Sequence, residues 1–210
     1  ADVMKPLDHE LSSKYSPYVK IFRLPQIGRR YVGFTDPSEG KDDPHATIFM
    51  DAVTGEQVAE SHGKCTVDVC AQIHDSLSRL YTAYNGYEIN AKAGGRMVEL
   101  IKNLDTPKQA YRVLSDGKSN KKETGWWTGE RLRDKVMWGL EEAVRLRQII
   151  PHSKELIDEF KQFIQPEGEN PQAAGGSHDD YVIAFACCLF LRNTMPASEI
   201  KVFSFKYGEG

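Results

Sequence analysis

Between Tyr31 and His62 three strand-forming runs follow one another with only turns between them, and the apolar period then switches to that of a helix. Tyr31, Val32 and Phe34 have high strand propensity, and Thr47-Ile-Phe-Met50 resumes it. Gln57-Val-Ala-Glu-Ser-His62 gives a third run after the turn Asp51-Ala-Val-Thr-Gly55. Strands joined this tightly pair as an antiparallel meander. From Val67 to Tyr84, Val69, Ile73, Leu77, Leu80 and Tyr81 recur at three- and four-residue intervals, which predicts an amphipathic helix ended by Asn85-Gly86. A meander running into helices calls for covering layers, so the expected fold class is α/β, a mixed sheet with helices packed on it.

Further along, Tyr87-Glu88-Ile89-Asn90 reads as a very short strand and Ala91-Lys-Ala-Gly-Gly95 as a small-residue turn. A helix from about Arg96 to Leu104 and a strand Tyr111-Arg-Val-Leu114 follow. Ser115 to Gly125 is polar and lysine-rich, an exposed loop or hairpin ending in Trp126-Trp127. Thr128 is placed to cap a long helix to about Arg147, with Leu132, Val136, Leu140 and Val144 on its buried side. Ser153 caps another helix whose apolar face runs through Leu156, Ile157, Phe160, Phe163 and Ile164. Gln165 to Gly176 reads as a loop, and Ser177-His-Asp-Asp180 opens a helix, Tyr181 to Arg192, that is apolar nearly all round and therefore buried. Glu199 to Tyr207 is patterned as a final strand or arm. Residues 1–29, interrupted by Pro6, Pro17 and Pro25, read as a lead-in or linker with a brief strand at Tyr18-Val-Lys-Ile-Phe-Arg23, which leaves 30–210 as the domain.

Composition narrows the function classes. A chain of 210 residues suffices for one good-sized core. No apolar run approaches the roughly 20 residues that span a bilayer, and the N-terminus lacks the pattern of a signal peptide. Cys65, Cys70, Cys187 and Cys188 have neither zinc-type spacing nor His partners, so they are expected as reduced core cysteines of a cytoplasmic protein. The net charge is −3, so any binding to nucleic acid needs a local basic surface.

Three acidic features share a placement. Asp36 ends the first strand of the meander, Glu88 lies in the short strand after the first long helix, and Asp179-Asp180 open the buried helix. Asp36, Glu39, Asp42 and Asp43 also crowd one turn, where like charges repel unless solvated, paired or holding a cation. Each feature alone has a plain reading: a solvated hairpin tip, a solvated edge-strand Glu, a helix N-cap. Together, if the first and fourth strands are neighbours and the last helix crosses them, the carboxylates converge at one edge of the sheet. Oxygen-only ligands of that kind suit Mg²⁺ or Mn²⁺. Two such ions could clamp an in-line displacement at phosphorus, with Asp36 as the bridging ligand.

The motifs Gly33-Phe-Thr-Asp36-Pro37 with Gly40 and Asp43, Glu88-Ile-Asn90 with Gly94-Gly95, and Ser177-His-Asp-Asp-Tyr-Val-Ile-Ala184 resemble those of the nuclease domain of phage and herpesvirus-type terminase large subunits. Gly125-Trp-Trp-Thr128, Arg131 and the Ser153 to Phe163 helix are similar to that family too, so the resemblance spans roughly 30 to 192. It implies a ribonuclease H-like fold with helices on both faces and a two-metal endonuclease acting on double-stranded, concatemeric viral DNA during genome packaging. By position, Asp36 would bind both Mg²⁺ or Mn²⁺ ions, Glu88 one, and Asp180 with Asp179 the other, while Asp43 would support the site. Asp42 beside Asp43 departs from the pattern and leaves the supporting residue open between them. The resemblance further implies a packaging ATPase domain N-terminal to this region, the portal and small terminase subunit as partners, and the cytoplasm of the infected host cell as the location. No Gly-x-x-x-x-Gly-Lys-Ser/Thr loop occurs in these residues, as expected of a piece lying beyond the motor.

Contact with DNA is expected from Lys118, Lys121, Lys122, Arg131, Arg133 and Lys135, which cluster around the Trp pair, although a lysine-rich loop can be merely solvated. The alternatives are a Holliday-junction resolvase or RNase H-type enzyme of the same fold, and a non-catalytic docking module. A sugar-kinase or actin-like ATPase reading is weakened by the lack of a second Gly-rich phosphate loop.

Overall fold

A short helix α1 (Glu10–Lys14) and strand β1 (Val19–Ile21) precede the meander of β2 (Tyr31–Asp36), β3 (His45–Asp51) and β4 (Gln57–Gly63). Helix α2 (Val67–Tyr81) leads to β5 (Tyr84–Tyr87) and α3 (Ala91–Leu104). A hairpin of β6 (Tyr111–Ser115) and β7 (Asn120–Thr124) then gives way to α4 (Glu130–Arg145) and α5 (Lys154–Gln162). The two-residue strands β8 (Phe163–Ile164) and β9 (Gln172–Ala173) come before the last helix, α6 (Asp180–Thr194). The computed structural model describes residues 3–41, 43–115, 120–126, 130–164, 172–173 and 180–196.

The main sheet has the order β1-β4-β3-β2-β5, with β5 parallel to β2 and the other pairs antiparallel. This is the mixed sheet with an antiparallel meander that the sequence implies, and helices cover both faces. On one face Val32, Phe34, Ala46, Ile48 and Met50 pack against α4, α5 and α6. On the other, Tyr31, Phe49 and Ala59 pack against Ile73, Leu77 and Tyr81 of α2, while α3 joins through Met97 and Ile101. The central strands read as continuous apolar runs because both of their faces are buried. Gly33 sits inside β2 because a Cβ there would lie 2.4 Å from the Phe49 ring, which crosses the strand at that point. Helix α6 buries every residue from Tyr181 to Leu189, as an all-round apolar helix must. All four cysteines are buried and reduced.

Several boundaries differ from the sequence reading. The brief strand expected at 18–23 is β1, and it belongs to the sheet rather than to a lead-in. Val19–Ile21 pairs with β4 as the edge strand of the sheet, and Tyr15, Val19, Ile21 and Phe22 are buried, so the domain begins well before residue 30. Helix α2 ends at Thr82, which adopts the left-handed conformation, rather than at Asn85-Gly86. That dipeptide lies within β5 instead. Asn85 is buried and donates to the Ala83 and Pro107 carbonyls, and Gly86 admits the Leu191 side chain, which a Cβ would meet at 2.8 Å. The strand expected at 87–90 therefore starts earlier, at Tyr84. The small residues at 91–95 form the first turn of α3, because Gly94 lets the helix start press on the Ile89 backbone. Helix α5 stops at Gln162, and Phe163–Ile164 turn into β8 rather than extending its apolar face. The tail 199–207 and the Thr128 cap lie outside the described residues.

Candidate active site

Asp36 is the last residue of β2, and its position follows from alternation along the strand. Val32 and Phe34 face α6, so Asp36, two residues on, points to the same side where the strand runs out of cover. In the parallel pair Thr35 stands opposite Tyr87, and the Glu88 N–H donates to the Thr35 carbonyl at 2.9 Å, which sets Glu88 level with Asp36. Beyond Glu88, Ile89 donates to the Trp126 carbonyl at 2.9 Å, so the β5 extension is supported on both flanks and is no free edge. Asn90 Nδ2 donates to Glu88 Oε1 at 3.0 Å and orients that carboxylate.

Asp180 is the first residue of α6. The Val182 N–H, a donor that a capping aspartate would serve, goes instead to Glu159 Oε1 of α5 at 2.9 Å. The neighbouring Tyr181 ring stacks on His62 of β4, with centroids 4.2 Å apart and planes 10° from parallel. The start of α6 is thus fastened from two sides, and Asp180 faces a cleft of about 440 Å³.

That cleft is lined by Asp36, Glu88, Asp180 and Asp43, together with Ser38, Glu39, Lys41, Asn90 and Arg133. The structure brings together five of the carboxylates singled out in the sequence, Glu39 among them. Asp179 and Asp42 lie outside the described residues, as do Ser177 and His178. The carboxylates line the cleft without closing on one point: among the described residues, no group of three or more His, Cys, Asp or Glu side chains forms a ready ligand cluster. The donor set facing the cleft is oxygen-only, which fits a hard divalent cation.

Sulfur and imidazole stand close by but are otherwise engaged. Burial pushes the Cys65 thiol up to about 11, and burial first, then Cys65 and Asp36, pushes that of Cys70 well up, so both stay protonated. Burial lowers His45 to about 4, and its ring contacts the Ser61 hydroxyl at 2.7 Å. On the sheet face opposite the cleft, Thr35 Oγ1 contacts Thr47 Oγ1 at 2.9 Å and His74 Nδ1 at 2.8 Å, and His74 Nε2 contacts Asn85 Oδ1 at 3.0 Å. This buried polar chain ties α2 to β3, β2 and β5 directly behind Asp36.

Of the cations expected to meet DNA, Arg133 of α4 lines the cleft itself. Lys135 lies over the Phe190 ring at 5.1 Å, and Trp126 packs edge-on against the same ring at 5.9 Å, a packing role rather than base stacking. Lys121 and Lys122 fall in β7 and Arg131 in α4, while Lys118 and Trp127 lie outside the described residues. Sequence reasoning missed Glu159 and the Thr35–His74–Asn85 chain. Their contacts span 11 to 39 residues and leave no local pattern. Lys41 was missed as well, although its place between Glu39 and Asp43 was a usable signal.

No protein-family model matches the chain. Its fold is shared with solved nuclease domains. The large terminase nuclease from thermophilic phage G20c with bound magnesium superposes with a TM-score of 0.69 at 16% identity, covering 90% of this chain and 92% of the other. The large terminase nuclease domain of Thermus phage P74-26 gives 0.65 at 16% identity, with 90% of each chain covered. A mutant nuclease domain of the large terminase subunit of bacterial virus Sf6, with manganese and beta-thujaplicinol, gives 0.52 at 12% identity, covering 80% of this chain and 90% of the other.

Proposed function

We propose that this chain is the nuclease domain of a phage terminase large subunit, a divalent-metal endonuclease that cuts double-stranded, concatemeric viral DNA during genome packaging. One observation carries the reading: Asp36, Glu88 and Asp180, from three elements far apart in sequence, line a single cleft at the carboxyl end of β2 and β5. The shared fold supports it, as does the oxygen-only donor set. The G20c and Sf6 nuclease structures contain magnesium and manganese respectively.

In this reading Asp36 holds both of two Mg²⁺ or Mn²⁺ ions, Glu88 one of them, and Asp180 with Asp179 the other, with Asp43 in support. When bound, the ions supply Lewis-acid stabilisation of charge on the attacking and leaving oxygens of a phosphodiester. The protein's share is positioning. The β2–β5 ladder fixes Asp36 against Glu88, Asn90 orients Glu88, and Glu159 holds the α6 start that presents Asp180. Arg133 reaches the same cleft and is suited to a phosphate oxygen. The domain would act beside an ATPase domain of the same polypeptide, with the portal and small terminase subunit, in the cytoplasm of the infected host cell. Among the described residues no helix is long and apolar enough to cross a membrane.

The test is nicking of supercoiled plasmid by the purified chain at low salt with Mg²⁺ or Mn²⁺. Nicking is expected, and Asp36→Ala should lose more than about 100-fold, because even partners that only orient metal ligands cost 10–100-fold. Plasmid left intact with both ions overturns the reading. Parallel digestion of linear duplex, a four-way junction and an RNA–DNA hybrid separates the other enzymes of this fold. Heat of Mn²⁺ binding that vanishes in Asp36→Ala excludes a docking module.

A further inference from the structure

We infer that duplex DNA is gripped beside the carboxylate cleft by Lys41, Lys64 and Lys92. The inference rests on the nuclease reading of the cleft and names the surface that seats its substrate.

Most cations of the described chain are already committed. Arg23, Arg29, Arg79, Arg96, Arg145, Lys20, Lys154 and Lys161 are ion-paired. Arg192 is spent on the carbonyls of Ala52, Val53 and Gln148, and Lys108 on that of Thr82. Lys14 and Lys135 sit over aromatic rings. Lys41, Lys64 and Lys92, like Lys5, Lys102 and Arg147, have no ion-pair partner among the described residues, and all six are exposed. A cation without a carboxylate partner keeps its full charge for a polyanion, and each phosphate it neutralises releases a counterion.

The fold puts these three around one opening. Gly40, at a φ of +74°, presses on the backbone of Cys65, whose carbonyl a Cβ would meet at 2.1 Å. That contact makes Lys41, next to Gly40, a neighbour of Lys64, next to Cys65. The Tyr18 hydroxyl donates to the Lys64 carbonyl at 3.0 Å and steadies the same corner. Lys41 lines the cleft itself, and Lys92 stands between Ala91 and Ala93, which line it too. Arg133 lines it from α4, so two cations share the cleft with the carboxylates, and Lys64 and Lys92 each lie within two residues, in sequence or by the Gly40–Cys65 contact, of its lining. A DNA backbone held by these cations would bring a phosphate to the cleft of Asp36, Glu88 and Asp180.

The experiment is fluorescence anisotropy of a labelled mixed-sequence duplex, with Ca²⁺ replacing Mg²⁺, between about 50 and about 200 mM salt. Lys41→Ala/Lys64→Ala/Lys92→Ala is compared with wild type and with Lys121→Ala/Lys122→Ala. Each lost phosphate contact lowers the slope of log K against log salt by about 0.9, so the triple variant should lose about 2.7, with the hairpin variant as the comparison. A triple variant with the wild-type slope overturns the inference while leaving the nuclease reading standing. A wild-type chain that neither binds duplex nor nicks plasmid overturns both.

Discussion

The backbone N–H of Glu88 donates to the carbonyl of Thr35 at 2.9 Å. This bond carries the parallel β2–β5 ladder one residue past the last strand pair and seats Glu88 beside Asp36. Two carboxylates that repel one another are therefore held by backbone hydrogen bonds, with no mobile loop between them. The arrangement makes the cleft rigid on its sheet side.

Asn90→Ala removes the amide that donates to Glu88 Oε1. Mn²⁺ affinity should fall 10–100-fold, the usual cost of losing a partner that orients a metal ligand. Isothermal titration measures it, with far-UV circular dichroism as the control for folding. Unchanged affinity would remove Glu88 from the ligand set.

Gly94 and Gly95 are neighbours in α3 with opposite expected responses. A Cβ at Gly94 lies 2.3 Å from the Ile89 carbonyl carbon, so Gly94→Ala must push the helix off the Glu88 segment. About 1–3 kcal/mol of stability should be lost, and nicking should weaken with it. A Cβ at Gly95 meets nothing within 4 Å, and Gly95→Ala should gain about 0.5–1 kcal/mol. Urea unfolding of the pair decides both signs.

His74 links pH to stability. Burial lowers its folded value from 6.5 to about 4, so between those pH values the unfolded chain binds the extra proton. The stability that the neutral ring contributes is whole above pH 6.5 and declines as pH falls toward 4, by up to about 1.4 kcal/mol per pH unit. Thermal melts from about pH 7 down to about pH 4.5 should show the gap between wild type and His74→Asn narrowing with acid. A constant gap would mean that the buried ring does not carry the linkage.

Glu60 is fully buried on the face under α6, with Lys20 Nζ 3.3 Å from Oε1 and Gln57 Nε2 donating to Oε2 at 2.8 Å. Glu60→Ala leaves the Gln57 amide without its acceptor while Lys20 keeps Glu155 at 2.7 Å, and should cost about 1–3 kcal/mol. Glu60→Gln keeps the shape and should cost less. Chemical denaturation compares the two, and equal losses would argue that packing alone matters there.

Local residues determined a great deal of this protein. The strand-forming runs at Tyr31–Asp36, His45–Asp51 and Gln57–Gly63, and the all-round apolar run after Asp180, are legible because each element's burial is written in its own side chains. The acidic residues at the ends of those elements, met together, already named Asp36, Glu88 and Asp180. What only the tertiary structure decided is whatever depends on two distant segments at once. Asn85-Gly86, a turn signal in isolation, is strand because Leu191 needs the space and His74 and Pro107 need the amide. Val19–Ile21 join the sheet because the outer edge of β4 has backbone groups to satisfy, which they supply. The start of α6 is held because Glu159 reaches the Val182 N–H from another helix. Hydrogen-bond satisfaction and close packing operate between neighbours in space, and a single sequence records only neighbours along the chain.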